Sequence, residues 1–546
     1  MNVKILQFFS SESTISKKYI IFLIIISGLA SGILVFVINN TAYTIYNNSH
    51  QEYPYFFIFI IVTALLYFTK KEVFTKSIRL TEKLIREMRV RLVDKIRHTE
   101  LLFLEKKGAT ELINRLTLDI NTLSQSIPVF IISLEGLFTI FGIFIYCLFL
   151  SISSCLCMLL FVFISLLFFF IKYIETQHQF SIADEEERNY FETINGLLVG
   201  FKQIKVNQKR SQSLHNDLKD MTHKTKTMKA NGLFNLLQVT LYTDTLYFIM
   251  LGAFIFLLPL LFESNKTILP KLITAILFVY SPLSFIYKCA PQVVMSNLAV
   301  ERLENLEKQL DENIRHAKDL GPLAIDLQKI SLSSVVFHYK DKDNQSTFSL
   351  GPLDLTIHQG EVVFIAGGNG SGKSTLLKLL TGLYETNVSG KMLLNEEKIT
   401  ETTLPMYRQL FSIIFTDYHL FKKLYGIENI DEAHIDHLLK EMALDHKTKF
   451  IEQQFTNLSL STGQKKRLAY IVSLLEDRPV FVFDEWAADQ DPEFRKYFYT
   501  TILKDLQKIG KTIIAVTHDD RYFDYADRLI KMDDGKIIPK NCNRHL

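Results

Sequence analysis

Val362-Val363-Phe364-Ile365-Ala366 runs straight into Gly367-Gly368-Asn369-Gly370-Ser371-Gly372-Lys373-Ser374. An apolar run gives way to a glycine-rich loop with the spacing G-x-x-x-x-G-K-[ST]. Leu376-Leu377-Lys378-Leu379-Leu380 follows and reads as a helix. Strand, small-residue loop and helix start, in that order, make a phosphate-binding loop. Backbone N–H groups surround phosphate oxygens, a lysine reaches the outer phosphates, and a hydroxyl meets Mg²⁺. The spacing predicts an α/β domain that grips a nucleotide.

The residues downstream fit the same domain. Val480-Phe481-Val482-Phe483 is an apolar strand that ends in Asp484 and Glu485. A strand-end Asp beside phosphates holds Mg²⁺, usually through water, and the neighbouring Glu is placed to polarise an attacking water. Leu460-Ser461-Thr462-Gly463-Gln464 precedes this strand. Ile513-Ile514-Ala515-Val516-Thr517 follows it and ends in His518.

The first ~300 residues are different in kind, being rich in Phe, Ile and Leu, and a chain of 546 residues has room for two or more domains. Apolar runs at Tyr19–Ile38, Tyr55–Phe68, Val129–Leu150, Ile152–Ile174, Leu236–Phe262 and Leu272–Ile286 predict six membrane helices. A cleavable leader competes for the first run, because Ser27-Gly28-Leu29-Ala30-Ser31-Gly32 is a cluster of small residues. The run stays apolar beyond Gly32, however. Lys and Arg crowd residues 70–126 and are absent from 39–54, so the basic side, with both termini, is expected in the cytoplasm. Residues 70–126 and 173–232 keep a helical pattern. Their length predicts membrane helices that continue below the bilayer rather than structureless loops. Glu135 and Asp244 fall in or near the crossings and need a cavity or a polar partner. The net charge of +3 gives no reason to expect nucleic acid as a partner. Cys147, Cys155, Cys157, Cys289 and Cys542 lack metal-ligand spacing and read as small buried hydrophobes.

Phosphate loop, LSTGQ, Asp-Glu strand and terminal His, in that order behind six spans, resemble an ABC exporter half-transporter. LSTGQ is similar to the family's LSGGQ signature, with Thr462 for the first Gly. Residues 107–119 resemble the segment after the family's first cytoplasmic coupling helix, and residues 200–205 resemble the second coupling region. A narrower likeness lies in LSTGQKKRLA and in Phe483–Arg495, FDEWAADQDPEFR. These are similar to the cyclic-peptide and siderophore-peptide exporters, the group that includes the pyoverdine, syringomycin and microcin J25 exporters. Trp486, the only Trp, stands in the second stretch and reads as packing.

The resemblance implies a fold and a set of roles. The fold is an all-α six-helix transmembrane domain (1–305), a linker (306–326) and an α/β P-loop ATPase domain (327–546). Gly367, Gly368, Asn369, Gly370, Ser371, Gly372, Lys373, Ser374 and Thr375 would hold the phosphates, and Tyr339 would stack on adenine. Ser374 and Asp484 would hold Mg²⁺. Glu485 would be the catalytic carboxylate and His518 would contact the γ-phosphate. Ser461, Thr462, Gly463 and Gln464 would complete the ATP site of a second identical subunit, with Asp491 in the loop between the two sites. Thr416 stands where the family has a metal-sensing Gln, next to Asp417, so Thr416, Asp417 or a water would take that part. The expected function is Mg²⁺- and ATP-dependent export of a modified or cyclic peptide across a bacterial inner membrane. A lipid flippase or multidrug exporter is the alternative, and a membrane-tethered ABC ATPase without transport is the third.

Overall fold

A computed structural model describes residues 15–46, 52–257, 268–314, 327–340, 346–428 and 430–538. They form two compact units. One takes residues up to Arg97 together with Lys107–Glu312; the other takes His98–Lys106 together with Asn313 onward.

The first unit is helical. Five stretches are long and apolar enough to cross a membrane: Lys18–Ile45, Ala109–Leu150, Ile152–Val199, Gln208–Leu257 and Leu269–Asn313. The sixth crossing is the start of the helix Glu52–Arg97, where Phe56, Phe57, Ile61, Tyr67 and Phe68 lie exposed on its surface. Exposed large apolar side chains in this number suit hydrocarbon, not water. Glu52–Arg97, Ile152–Val199 and Gln208–Gly252 have 46, 48 and 45 residues. At 1.5 Å per residue each is roughly 70 Å long, against a bilayer core of about 30 Å. The expected continuation of these helices beyond the membrane is therefore present. Ala290–Asn313 is also helical and covers the start of the stretch read as a linker. Residues 315–326, the end of the fifth apolar run at 258–262, and Cys542 lie outside the described residues.

The small residues near the N-terminus have a packing role. A Cβ on Gly28 would meet the backbone of Phe138, and one on Gly32 would meet the Gly142 carbonyl oxygen at 2.5 Å. The helices Ile15–Tyr46 and Ile120–Leu150 approach this closely because Gly28, Gly32 and Gly142 have no side chains, a small-xxx-small contact. Glu135 is buried nearby. It accepts a hydrogen bond from Ser27 Oγ at 2.9 Å and pairs with Lys70 Nζ at 3.2 Å. Asp244 is half-buried, with Tyr280 as its partner. Both acids thus have the polar neighbours that burial demands.

The second unit is α/β. β1 (Lys329–Lys340), β2 (Ser346–His358), β4 (Val388–Leu394) and β5 (Glu397–Lys398) form an antiparallel sheet in the order β2-β1-β4-β5. β3 (Val362–Gly367), β6 (Phe411–Ile414), β9 (Val480–Asp484), β10 (Thr512–Val516), β11 (Arg528–Asp533) and β12 (Lys536–Ile538) form the larger sheet, in the order β12-β11-β3-β10-β9-β6. β7 (Phe450–Ile451) and β8 (Gln454–Phe455) make a small hairpin. In the larger sheet all pairs but β11/β12 are parallel. Its central strands are buried on both faces. Val363, Ile365, Val480, Val482, Ile514 and Val516 enter one core; Val362, Phe364, Phe481, Phe483, Ile513 and Ala515 enter the other. Alternate residues point to opposite sides, so two apolar layers make each strand read as an unbroken apolar run.

Candidate functional site

The register of the larger sheet gathers the chemistry at one edge. Val516 of β10 lies opposite Ile365 of β3 and Asp484 of β9. The phosphate loop, Glu485 and His518 therefore all follow the carboxyl ends of neighbouring parallel strands, where ligands of open α/β sheets bind.

The loop from Gly367 turns into the helix Lys373–Leu380. Gly370 and Gly372 have φ of 80° and 96°, backbone that other residues rarely adopt. A Cβ on Gly372 would also stand 2.8 Å from Leu350 Cδ1. Lys373 is buried, and its Nζ donates to the carbonyl oxygens of Gly367 and Gly368 at 3.0 Å each. An ammonium has three donors, which leaves one for a phosphate oxygen. Asn369, Gly370, Gly372, Lys373, Ser374 and Thr375 line an open cleft of about 610 Å³ with Tyr339, Phe348 and Glu485.

Asp484 lies behind this loop. Burial pushes its carboxyl above the ordinary value, opposed by hydrogen bonds from the Ser374 and Thr416 side chains. Its Oδ1 and the hydroxyl of Ser371 are buried with no hydrogen-bond partner. Thr416 Oγ1 also reaches the Asp484 carbonyl oxygen at 3.5 Å. No cluster of three His, Cys, Asp or Glu side chains suited to a metal occurs among the described residues. The donor set is one carboxylate and hydroxyls, which suits a Mg²⁺ that keeps waters and phosphate oxygens. The orphaned Asp484 oxygen fits such an ion.

Glu485 has φ 51° and ψ 36°. Its N–H donates to the Val516 carbonyl oxygen at 3.2 Å, and His518 Nε2 hydrogen-bonds its Oε1 at 3.0 Å. The two residues that the sequence placed in catalysis are thus in direct contact.

Tyr339 closes β1 beside the cleft. Its hydroxyl bonds the Tyr384 hydroxyl at 2.7 Å, and Tyr384 donates to Glu105 Oε2 at 2.9 Å. Lys378 Nζ reaches Glu105 Oε1 at 2.7 Å. Glu105 belongs to the short helix Leu101–Lys107, which up to Lys106 is part of the second unit. Sequence reasoning missed Tyr384, Glu105 and Phe348: no local pattern ties residues 105 and 384 together.

Ser461 caps the helix Thr462–Glu476, and Gln464 returns the bond to the Ser461 N–H, a complete capping box. Gly463 lets the following loop approach, since a Cβ there would lie 2.6 Å from the Asp489 carbonyl oxygen. Ser461, Thr462, Gly463 and Gln464 are not among the residues lining the cleft of the phosphate loop. Asp491 caps the helix Pro492–Tyr497 through the Phe494 N–H at 2.9 Å and pairs with Arg467 at 2.6 Å. The Phe494 N–H, then Arg467, hold its carboxyl below the usual range.

Residues 18–261 match the model of the ABC transporter transmembrane region, and residues 350–488 match that of the ABC transporter. The "ATP-binding protein SyrD" of Pseudomonas syringae pv. syringae is 32% identical over 547 residues, spanning 96% of this chain and 94% of that protein. The chain belongs to the ABC transporter family. The "ATP-dependent lipid A-core flippase" of Haemophilus ducreyi is 33% identical over a shorter reach, 40% of this chain and 38% of that one. A solved bacterial Atm1-family ABC exporter with ATP bound shares the fold, with a TM-score of 0.78, 16% identity and coverage of 96% and 94%. The fold is that of an ABC exporter: a six-helix membrane part followed by an α/β ATPase part. As an ABC exporter the protein is a multi-span membrane protein that couples ATP hydrolysis to transport, with ATP and Mg²⁺ as cofactors.

Proposed function

We propose that two copies of this chain export a modified or cyclic peptide from the bacterial cytoplasm across the inner membrane, with both termini inside. The observation that carries this reading is the similarity to SyrD along 96% of the chain, joined to the LSTGQKKRLA and FDEWAADQDPEFR stretches. The flippase match reaches only 40% of the chain.

In this reading the phosphate-loop N–H groups and Lys373 hold the β- and γ-phosphates, and Tyr339 stacks on adenine. Asp484, Ser374 and Thr416 provide the oxygens around Mg²⁺, which neutralises charge on the phosphates when bound. Glu485 orients the attacking water, and His518 fixes the Glu485 carboxylate and meets the γ-phosphate. The signature residues 461–464 serve the partner's nucleotide, in keeping with their absence from the lining of this chain's own cleft. A two-fold pair then has two complete sites, and closure on ATP favours the outward-open state.

The test is ATPase activity of the reconstituted protein in lipid vesicles, titrated with peptides of several classes. Stimulation by a cyclic or modified peptide supports the reading. Stimulation by lipid alone assigns the chain to flipping instead.

A further inference from the structure

We infer that Lys466 is a positioning residue for Glu485: it holds the left-handed turn that aims the Glu485 carboxylate at the nucleotide. This rests on the reading of Glu485 as the catalytic carboxylate, and it adds a residue that the phosphate-loop chemistry does not call on.

Lys466 is 1% exposed, although it lies in the helix Thr462–Glu476 at a position where a lysine would ordinarily be solvated. Its Nζ donates to the Glu485 carbonyl oxygen at 2.7 Å and pairs with Asp489 Oδ2 at 2.8 Å. A lysine is buried only where partners replace its water. Here one partner is the backbone of the residue read as catalytic.

Glu485 needs such a hold. Its φ of 51° is a conformation that a residue with a Cβ keeps only when its surroundings enforce it. The N–H of Glu485 is fixed by Val516, and Lys466 fixes the carbonyl on its other side. The same carbonyl oxygen also accepts from the Ala488 N–H, at a longer 3.3 Å. Without Lys466 that weaker bond alone holds the peptide after Glu485, which can then rotate toward the extended region and carry the carboxylate away from His518.

The contact is held from both directions. The Trp486 indole N–H donates back to the Lys466 carbonyl oxygen at 2.8 Å. Gln490 Nε2 donates to the Gly463 carbonyl oxygen at 3.1 Å, and Arg467 Nε donates to Gln490 Oε1 at 2.9 Å. The helix that begins at the signature and the loop that begins at Glu485 are therefore stitched together, with Lys466 at the catalytic end. The residues lining the phosphate cleft from 369 to 375 belong to a different element. Loss of Lys466 should slow turnover and leave nucleotide affinity in place.

The experiment uses the full-length protein in lipid vesicles, comparing wild type, Lys466→Met, Lys466→Arg and Glu485→Gln for kcat and KM of ATP. Fluorescence of Trp486, the only Trp, reports whether the local packing survives. Lys466→Met is expected to lose roughly 10- to 100-fold in kcat, the scale of a misplaced catalytic group, with KM and Trp486 emission unchanged. Lys466→Arg should recover part of the loss. Wild-type kcat in Lys466→Met, with Glu485→Gln inactive, overturns the inference and leaves the catalytic reading of Glu485 standing. A Glu485→Gln variant with wild-type turnover removes that reading and the inference with it. Loss accompanied by a shifted Trp486 emission is followed by Lys466→Gln, which retains a polar tip. The same shift there marks a packing role and also overturns the inference.

Discussion

Asp484 is a buried carboxyl with one oxygen left over. Its carboxyl is held above its ordinary value by burial, and one oxygen has no partner. A carboxyl whose pKa is higher folded than unfolded is a burden to the fold once it ionises. Its contribution to stability of the nucleotide-free protein falls as pH rises from the free carboxylate value through the raised one. Asp484→Asn should therefore raise the melting temperature of the nucleotide-free protein at neutral pH while abolishing Mg²⁺-dependent hydrolysis. Thermal unfolding with and without Mg·ATP reads both effects. Glu485→Gln should nearly abolish turnover while ATP binding persists, measured by single-turnover hydrolysis and equilibrium binding. At this scale the phosphate loop was legible because φ of 80° and 96° at residues 370 and 372 favours glycine. The gathering of Asp484, Glu485 and His518 was legible because each stands at or just past the end of an apolar strand. Lys466 was not, because a lysine near a helix start reads as solvated until a loop 20 residues away covers it.

Among elements, the contact of Ile15–Tyr46 with Ile120–Leu150 carries a sharp prediction. Gly28→Leu should drive a side chain into the Phe138 backbone, an overpacking cost of about 1–3 kcal/mol or more. Gly252→Ala, whose Cβ meets nothing within 4 Å, is the control. The yield of monodisperse protein and its melting temperature should fall only in the first. The sequence showed the small residues from Ser27 to Gly32 but not their partner, since Gly142 is over a hundred residues away. The short helix Leu101–Lys107 brings a second prediction. Tyr384→Phe removes the hydroxyl shared by Tyr339 and Glu105. A hydrogen bond of typical net worth, about 0.5–1.5 kcal/mol, corresponds to a rise of roughly 2- to 10-fold in KM for ATP. The kcat should stay near wild type, as steady-state ATPase kinetics would show. Helix lengths and strand runs were legible from apolar patterning. The tie from Glu105 to Tyr384 was not, because hydrogen bonds across such a separation leave no periodic trace.

For the whole molecule, the chain combines membrane helices of about 70 Å with an ATPase unit that claims His98–Lys106 from between them. Within the ATPase unit that segment is held by hydrogen bonds from Tyr384 and Lys378 to Glu105. The overall class was readable from the order of motifs and spans. The substrate was not, because a substrate cavity is lined by side chains from several helices whose rotation no periodicity fixes. In the proposed pair the ATP site becomes complete only when a second copy presents residues 461–464 to the phosphate loop. The most direct test of this is ATPase activity per copy in lipid nanodiscs loaded with either one or two copies. Single-copy discs should bind ATP with negligible turnover, and two-copy discs should hydrolyse it. Equal turnover per copy in both preparations would contradict the proposed pair.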